Sequence, residues 1–154
     1  MYTSTHIRKI SSSDNAEEYL NCVQDLMRSG TESASNIKLK LKKQKDDYET
    51  YVYVLDGKIV GTTSMLFEYK LRYSKPKAYI EDVAVDRDYR GMGIAKKLIN
   101  FCFGVAKQRQ CYKIVLSCDD SLVGFYEQLG FSKKENFMSY WIECFTLTRK
   151  IDNE

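Results

Sequence analysis

The chain has 154 residues, 44% hydrophobic and 29% charged, with a formal net charge of +3. That composition fits one globular domain over 1–154, and one proline with eight glycines excludes a Pro/Gly-rich disordered or collagen-like chain. No apolar run nears the roughly 18 residues of a membrane span, the opening lacks a signal peptide's apolar block, and so small a charge does not point to nucleic acid.

In chain order, residues 6–10 read as a short first strand. Ser13 and Asp14 offer N-caps for a helix towards Arg28 with Leu20, Val23, Leu26 and Met27 on its apolar side, and Gly30 stops it. A second helix starts near Ser33 to Ser35 and carries the basic run of residues 38–45. Thr50 to Leu55 is a strand, Asp56-Gly57 a hairpin turn, and Lys58 to Tyr69 the return strand. Ala78 to Val85 reads as a central strand, 93–107 as an amphipathic helix, and Lys113 to Cys118 as a short buried strand. A helix from about Ser121 to Leu129 ends at Gly130, and Phe137 to Thr148 reads as one long or two short strands. This order specifies an α/β sandwich with a mixed sheet.

Five scattered cysteines, Cys22, Cys102, Cys111, Cys118 and Cys144, form no C-x-x-C pair. They fit reduced thiols in a cytoplasmic setting and core packing rather than zinc. The single histidine, His6, argues against a histidine-based metal site or a Ser-His-Asp triad, so no metal is expected.

The chemistry concentrates in residues 79–95. A strand passes through a short polar turn into Arg90-Gly91-Met92-Gly93-Ile94-Ala95, which opens directly into a helix. Glycines there let backbone N–H groups approach a ligand, and the helix N-terminus adds roughly half a positive charge, a construction that favours a phosphate or pyrophosphate. An ordinary strand-to-helix turn in which glycine relieves strain is the alternative. The spacing matches neither a Rossmann fingerprint nor a P-loop. Glu81 and Asp82 are adjacent, so on a regular strand they face opposite ways and only one reaches a cleft, unless a bulge intervenes. Both also read as simple complements to nearby lysines.

These residues resemble a known family. Arg90 to Ala95 fits the R-x-x-G-x-G/A loop of the GNAT N-acetyltransferases, and Gly124-Phe125-Tyr126-Glu127-Gln128-Leu129-Gly130-Phe131 is similar to that family's F-Y-x-x-x-G-F helix end. Within the superfamily, Ile80 to Val85, Tyr89 to Ala95 and Cys111 to Leu116 most resemble eukaryotic-type glucosamine-6-phosphate N-acetyltransferases. The resemblance implies a mostly antiparallel sheet that splays beside the strand Ala78 to Val85, helices on both faces, and acetyl-CoA as co-substrate. It implies cofactor contacts from Val83, Ala84, Val85, Arg90, Gly91, Met92, Gly93, Ile94, Ala95 and Tyr126. The Val83 N–H would polarise the thioester carbonyl, Tyr126 would protonate the departing thiolate, and Glu81 would orient or deprotonate the amine. Packing under the helix is the plainer role for Tyr126. On the acceptor side the resemblance implies Glu81, Asp82, Ser117 and Thr31, and it implies a homodimer.

Three positions depart from that pattern. Ser117 stands where aminosugar enzymes carry a carboxylate, Leu122 where an asparagine contacts pantetheine, and Trp141 where a basic residue meets the sugar phosphate; the chain also runs on through Ile142 to Glu154. The basic run at 38–45, with Arg72, Lys75 and Lys77, reads as a solvated face or as an acceptor-side phosphate contact. The expected activity is acetyl transfer to a primary amine, first an amino sugar phosphate such as glucosamine 6-phosphate. Another small amine or peptide amine, and a non-catalytic acyl-CoA-binding domain, are the alternatives; neither nucleic acid nor membrane is an expected partner.

Overall fold

The structure, a computed structural model, describes residues 4–26 and 32–140. Strand β1 (Thr5–Lys9) pairs antiparallel with β2 (Tyr48–Leu55), β2 with β3 (Lys58–Glu68) and β3 with β4 (Lys77–Val85), while β5 (Lys113–Val115) pairs parallel with β4. The sheet order is therefore β1-β2-β3-β4-β5. The β2–β3 hairpin turns through Asp56 and Gly57 at φ 48° and 82°, the doubly left-handed pair that matches the twist of the flanking strands.

Helices α1 (Ala16–Val23) and α2 (Ala34–Lys43) cover one face and α3 (Ile94–Gln108) the other. Alternation along β2 shows this. Val52 and Val54 pack with Cys22 of α1, Ile10 and Ile59, with Leu41 of α2 against them, whereas Tyr53 packs with Val60, Ile94 and Leu98 of α3. Gly61 of β3 lets α3 lie close: a Cβ there would stand 2.8 Å from Ile94 Cγ2 and 3.3 Å from Leu98 Cδ1. Among the described residues, no helix is long and apolar enough to cross a membrane.

Helix α1 is shorter than its apolar pattern predicts. Its N-cap is Asn15, which accepts from the Glu17 N–H at 3.1 Å. Asp14 is diverted instead to Arg8, at 2.7 and 2.8 Å, and to the Ser11 N–H. Residues up to Ser117 form one compact unit and those from Cys118 a second. In the second, a 3-10 turn (Asp120–Leu122) leads into α4 (Val123–Gln128), which Gly130 closes at φ 97°. Tyr126 is buried, its ring edge-on to Phe125 and Phe131. Residues 137–140 are not a strand: Phe137, Met138 and Tyr140 are exposed. An extended segment becomes a strand only by pairing its backbone. The remainder of the expected C-terminal strand, with Trp141 and Cys144, lies outside the described residues, as does Thr31.

Candidate active site

The parallel ladder between β4 and β5 runs from Lys77–Lys113 to Tyr79–Val115 and stops. β4 continues to Val85, so its stretch from Ile80 onward has a strand partner on only one side among the described residues. On that partnered side the ladder to β3 is also interrupted. Ser64 faces Glu81 and Thr62 faces Ala84, so Asp82 and Val83 together oppose Thr63. This is a β-bulge, with Asp82 at φ 50°. The strict alternation expected of Glu81 and Asp82 fails for this reason: both are exposed, next to half-buried Val83 and buried Ala84.

Asp82 lines a cleft of about 210 Å³ against the α1–α2 pair. Tyr19, Leu20 and Val23 of α1 and Ile37 of α2 form its walls, with Glu32 and Lys40 among its polar lining. Desolvation raises the Asp82 carboxyl above its usual range, and desolvation followed by the Asp82 charge raises Glu81. Two phenols complete the surroundings. Burial, then Asp82, pushes Tyr19 up to about 12, and Tyr48 is raised by burial with added repulsion from Asp82 and Glu81. Tyr19, Tyr48 and Glu32 were not legible as site residues, and Lys40 was legible only as one member of the basic run 38–45, because nothing in a linear pattern brings α1, α2 and β2 to one point of β4.

Past Val85 the chain enters a short 3-10 turn at Arg87–Tyr89, held by Asp86 accepting from the Asp88 N–H at 3.0 Å. Gly91 and Gly93 follow at φ 79° and 74°, and Gly93 is the N-cap of α3. No side chain caps that helix, and a Cβ at either glycine would meet no atom within 4 Å. The first N–H groups of this 15-residue helix are thus without a side-chain cap, beside glycines with open space around them, an arrangement suited to a pyrophosphate. Met92 is exposed, Ile94 is buried against Tyr53 and Val60 of the sheet and Ala95 is half-buried. The Arg90 guanidinium turns back from the loop: Nε donates to the Val85 carbonyl at 3.1 Å and Nη2 to Asp25 at 2.6 Å. Arg87 meets the same carboxylate, with Nε at 3.0 Å. The two arginines hold Asp25 well below the usual carboxylate range.

Ser117 is exposed just beyond β5, and Leu122 is exposed in the second unit. Burial raises the Tyr126 phenol there, with a smaller push from Cys118, so its oxygen carries a proton at neutral pH.

Comparison with known proteins agrees with this architecture. The family model described as "Acetyltransferase (GNAT) family" matches residues 14–131. Similar relatives include the glucosamine 6-phosphate N-acetyltransferase of Arabidopsis thaliana, 29% identical over 89% of this chain and 96% of the relative. Glucosamine 6-phosphate N-acetyltransferase 1 of Dictyostelium discoideum is 32% identical over 80% of this chain and 82% of its own. The crystal structure of the Arabidopsis enzyme superposes with a TM-score of 0.79 at 30% identity, covering 91% of this chain and 99% of that one. The chain belongs to the acetyltransferase (GNAT) family and is an N-acetyltransferase.

Proposed function

We propose that the protein transfers the acetyl group of acetyl-CoA to the amine of glucosamine 6-phosphate, by direct attack while both substrates are bound. The observation that carries this reading is the bulged end of β4, partnered on one side among the described residues, leading through one 3-10 turn into the uncapped glycine loop of α3. The relatives named above supply the acceptor. A single domain over 1–154 carries the reaction, supported by a family match that runs through the boundary at Ser117.

Acetyl-CoA brings an activated thioester, and the residues of this chain do the rest. The N–H groups of 91–95 bind the pyrophosphate, and Val83 to Val85 offer backbone to the pantetheine arm. The Val83 N–H at the bulge polarises the thioester carbonyl, a kind of contact that contributes about 3 kcal/mol elsewhere. Asp82 holds the ammonium in the cleft, Glu81 takes its proton directly or through water, and Tyr126 gives a proton to the departing thiolate. Ser117 and Thr31 complete the acceptor side. A sugar amine with a pKa near 8 costs about 1.4 kcal/mol to deprotonate at pH 7, against about 4.6 for a lysine-like amine. Carboxylates of modest basicity therefore suit the sugar. A homodimer in the cytoplasm is part of this proposal, supported by the family and by the thiols.

The test is CoA release across glucosamine 6-phosphate, glucosamine, polyamines and peptides, with acetyl-CoA binding measured by calorimetry. Glucosamine 6-phosphate is expected to show the highest kcat/KM. A better amine among the others overturns the acceptor, and bound acetyl-CoA without turnover of any amine overturns the activity.

A further inference from the structure

The cleft beside Asp82 contains an ion pair that acetyl transfer itself does not need. Among its described lining residues Lys40 is the one cation, and Glu32 holds it. The Glu32 carboxylate also accepts from Asn36 Nδ2 at 2.9 Å and from the Ser33 N–H at 3.2 Å. Led by Lys40, these donors lower its carboxyl to about 2. The Lys40 side chain is nevertheless 68% exposed, against 27% for Glu32. Solvent and ligands therefore reach the ammonium while its counter-ion stays tucked in. An exposed pair of this kind contributes little stability, so exchanging its anion costs little. Other lysines of the basic run, Lys38, Lys42 and Lys43, do not line this cleft.

We propose that Lys40 reads the phosphate of the acceptor and that Glu32 is a built-in competitor which occupies Lys40 until a phosphorylated amine arrives. The inference rests on the amino-sugar-phosphate reading and deepens it. An acceptor bearing an ammonium at one end and a phosphate at the other needs an anion and a cation in the same cleft, and Asp82 and Lys40 are that pair. A phosphate monoester carries about −1.5 to −2 charges at pH 7 and several strong acceptor oxygens, enough to displace a single carboxylate. A sugar amine without a phosphate has no anion with which to displace Glu32 and gains nothing from Lys40. The cleft thereby discriminates between the two.

The experiment compares KM for glucosamine 6-phosphate and for glucosamine in wild type, Lys40→Met, Lys40→Arg and Glu32→Gln, with KM for acetyl-CoA as the check on folding. Lys40→Met is expected to raise the KM for the phosphorylated acceptor roughly ten- to a hundredfold more than that for glucosamine, and Lys40→Arg to recover most of the loss. Glu32→Gln is expected to act with the opposite sign, lowering the KM for glucosamine 6-phosphate a few-fold. Equal effects of Lys40→Met on both acceptors overturn the inference, as does a Glu32→Gln protein that binds the phosphorylated sugar less well; either result leaves the acceptor reading standing. A wild-type protein that does not turn over glucosamine 6-phosphate removes both.

Discussion

At Asp82 the requirements of folding and of chemistry oppose each other. Its backbone sits at φ 50°, a left-handed conformation that aspartate and asparagine tolerate better than most residues. Its carboxyl is raised by desolvation. A carboxyl raised in the folded state binds its proton more tightly there than in the unfolded chain, so its charge costs stability above the folded pKa and costs none below the unfolded one. Asp82→Asn keeps the turn-tolerant side chain and removes the charge. The expected result is a higher Tm near pH 7.5, a gain that shrinks to nothing as pH falls through the ordinary carboxylate range, measured by thermal melts at several pH values. The same change is expected to lower kcat/KM for the acceptor by about ten- to a hundredfold. It also returns Glu81 towards its usual range by removing the like charge, so the acid limb of the pH–rate profile moves to lower pH. A Tm difference that does not vary with pH refutes this account. Tyr126 makes a simpler case. Tyr126→Phe keeps the edge-on packing with Phe125 and Phe131 and removes only the hydroxyl that would give the proton. Its kcat is expected to fall roughly ten- to a thousandfold with little change in acetyl-CoA affinity, and an unchanged kcat with chemistry rate-limiting assigns the phenol to packing.

Two glycines act at the scale of elements, for different reasons. At Gly93 the backbone is left-handed and the space beyond it is open, so a side chain would project into the space proposed for the pyrophosphate. Gly93→Glu is expected to raise the acetyl-CoA Kd about a hundredfold or more, as a favourable contact becomes a repulsion; unchanged affinity by calorimetry in a folded variant removes the cofactor site. At Gly61 the constraint is packing between layers, because a Cβ would press on Ile94 and Leu98. Gly61→Ala is expected to cost about 1–3 kcal/mol in denaturant unfolding, and a variant as stable as wild type shows that α3 shifts freely. Elements of this kind differ in how far the chain announces them. The hairpin at Asp56-Gly57, the central strand to Val85 and the glycine loop are local signals, and each falls within a residue or so of where the residues place it. The bulge at Asp82 is not local. Ile80 to Val85 reads as a regular strand, and only the register against β3 reveals the extra residue. The anchoring of the loop is equally silent in sequence, since Asp25 joins Arg87 and Arg90 across more than sixty residues. Helix α1 stops at Val23 although its apolar spacing continues to Leu26, which frees Asp25 in the following turn to reach those arginines.

Across the whole molecule the arrangement favours one chemical route over another. A two-step route through an acetylated protein needs a nucleophile that is both ionisable and reachable. Cys22 and Cys102 are buried and burial pushes each thiol up to about 12, while Cys111 is half-buried and also raised by burial. At neutral pH such thiols carry almost no thiolate, the form that attacks a thioester. Cys118 is exposed and is the position to test among the described cysteines. The β4 bulge, by contrast, puts carboxylates beside the cleft and next to Val83, and on the proposed reading an amine held there by Asp82 needs no covalent relay. Holding two reactants together in this way supplies several kcal/mol of the barrier by orientation alone. Initial rates with both substrates varied are therefore expected to give intersecting double-reciprocal lines, and Cys118→Ser is expected to keep kcat within about twofold of wild type, since a residue outside the chemistry changes no transition-state contact. Parallel lines, together with a radiolabelled acetyl group retained on wild-type protein and lost in Cys118→Ser, would establish the covalent route and overturn direct attack of the amine on acetyl-CoA.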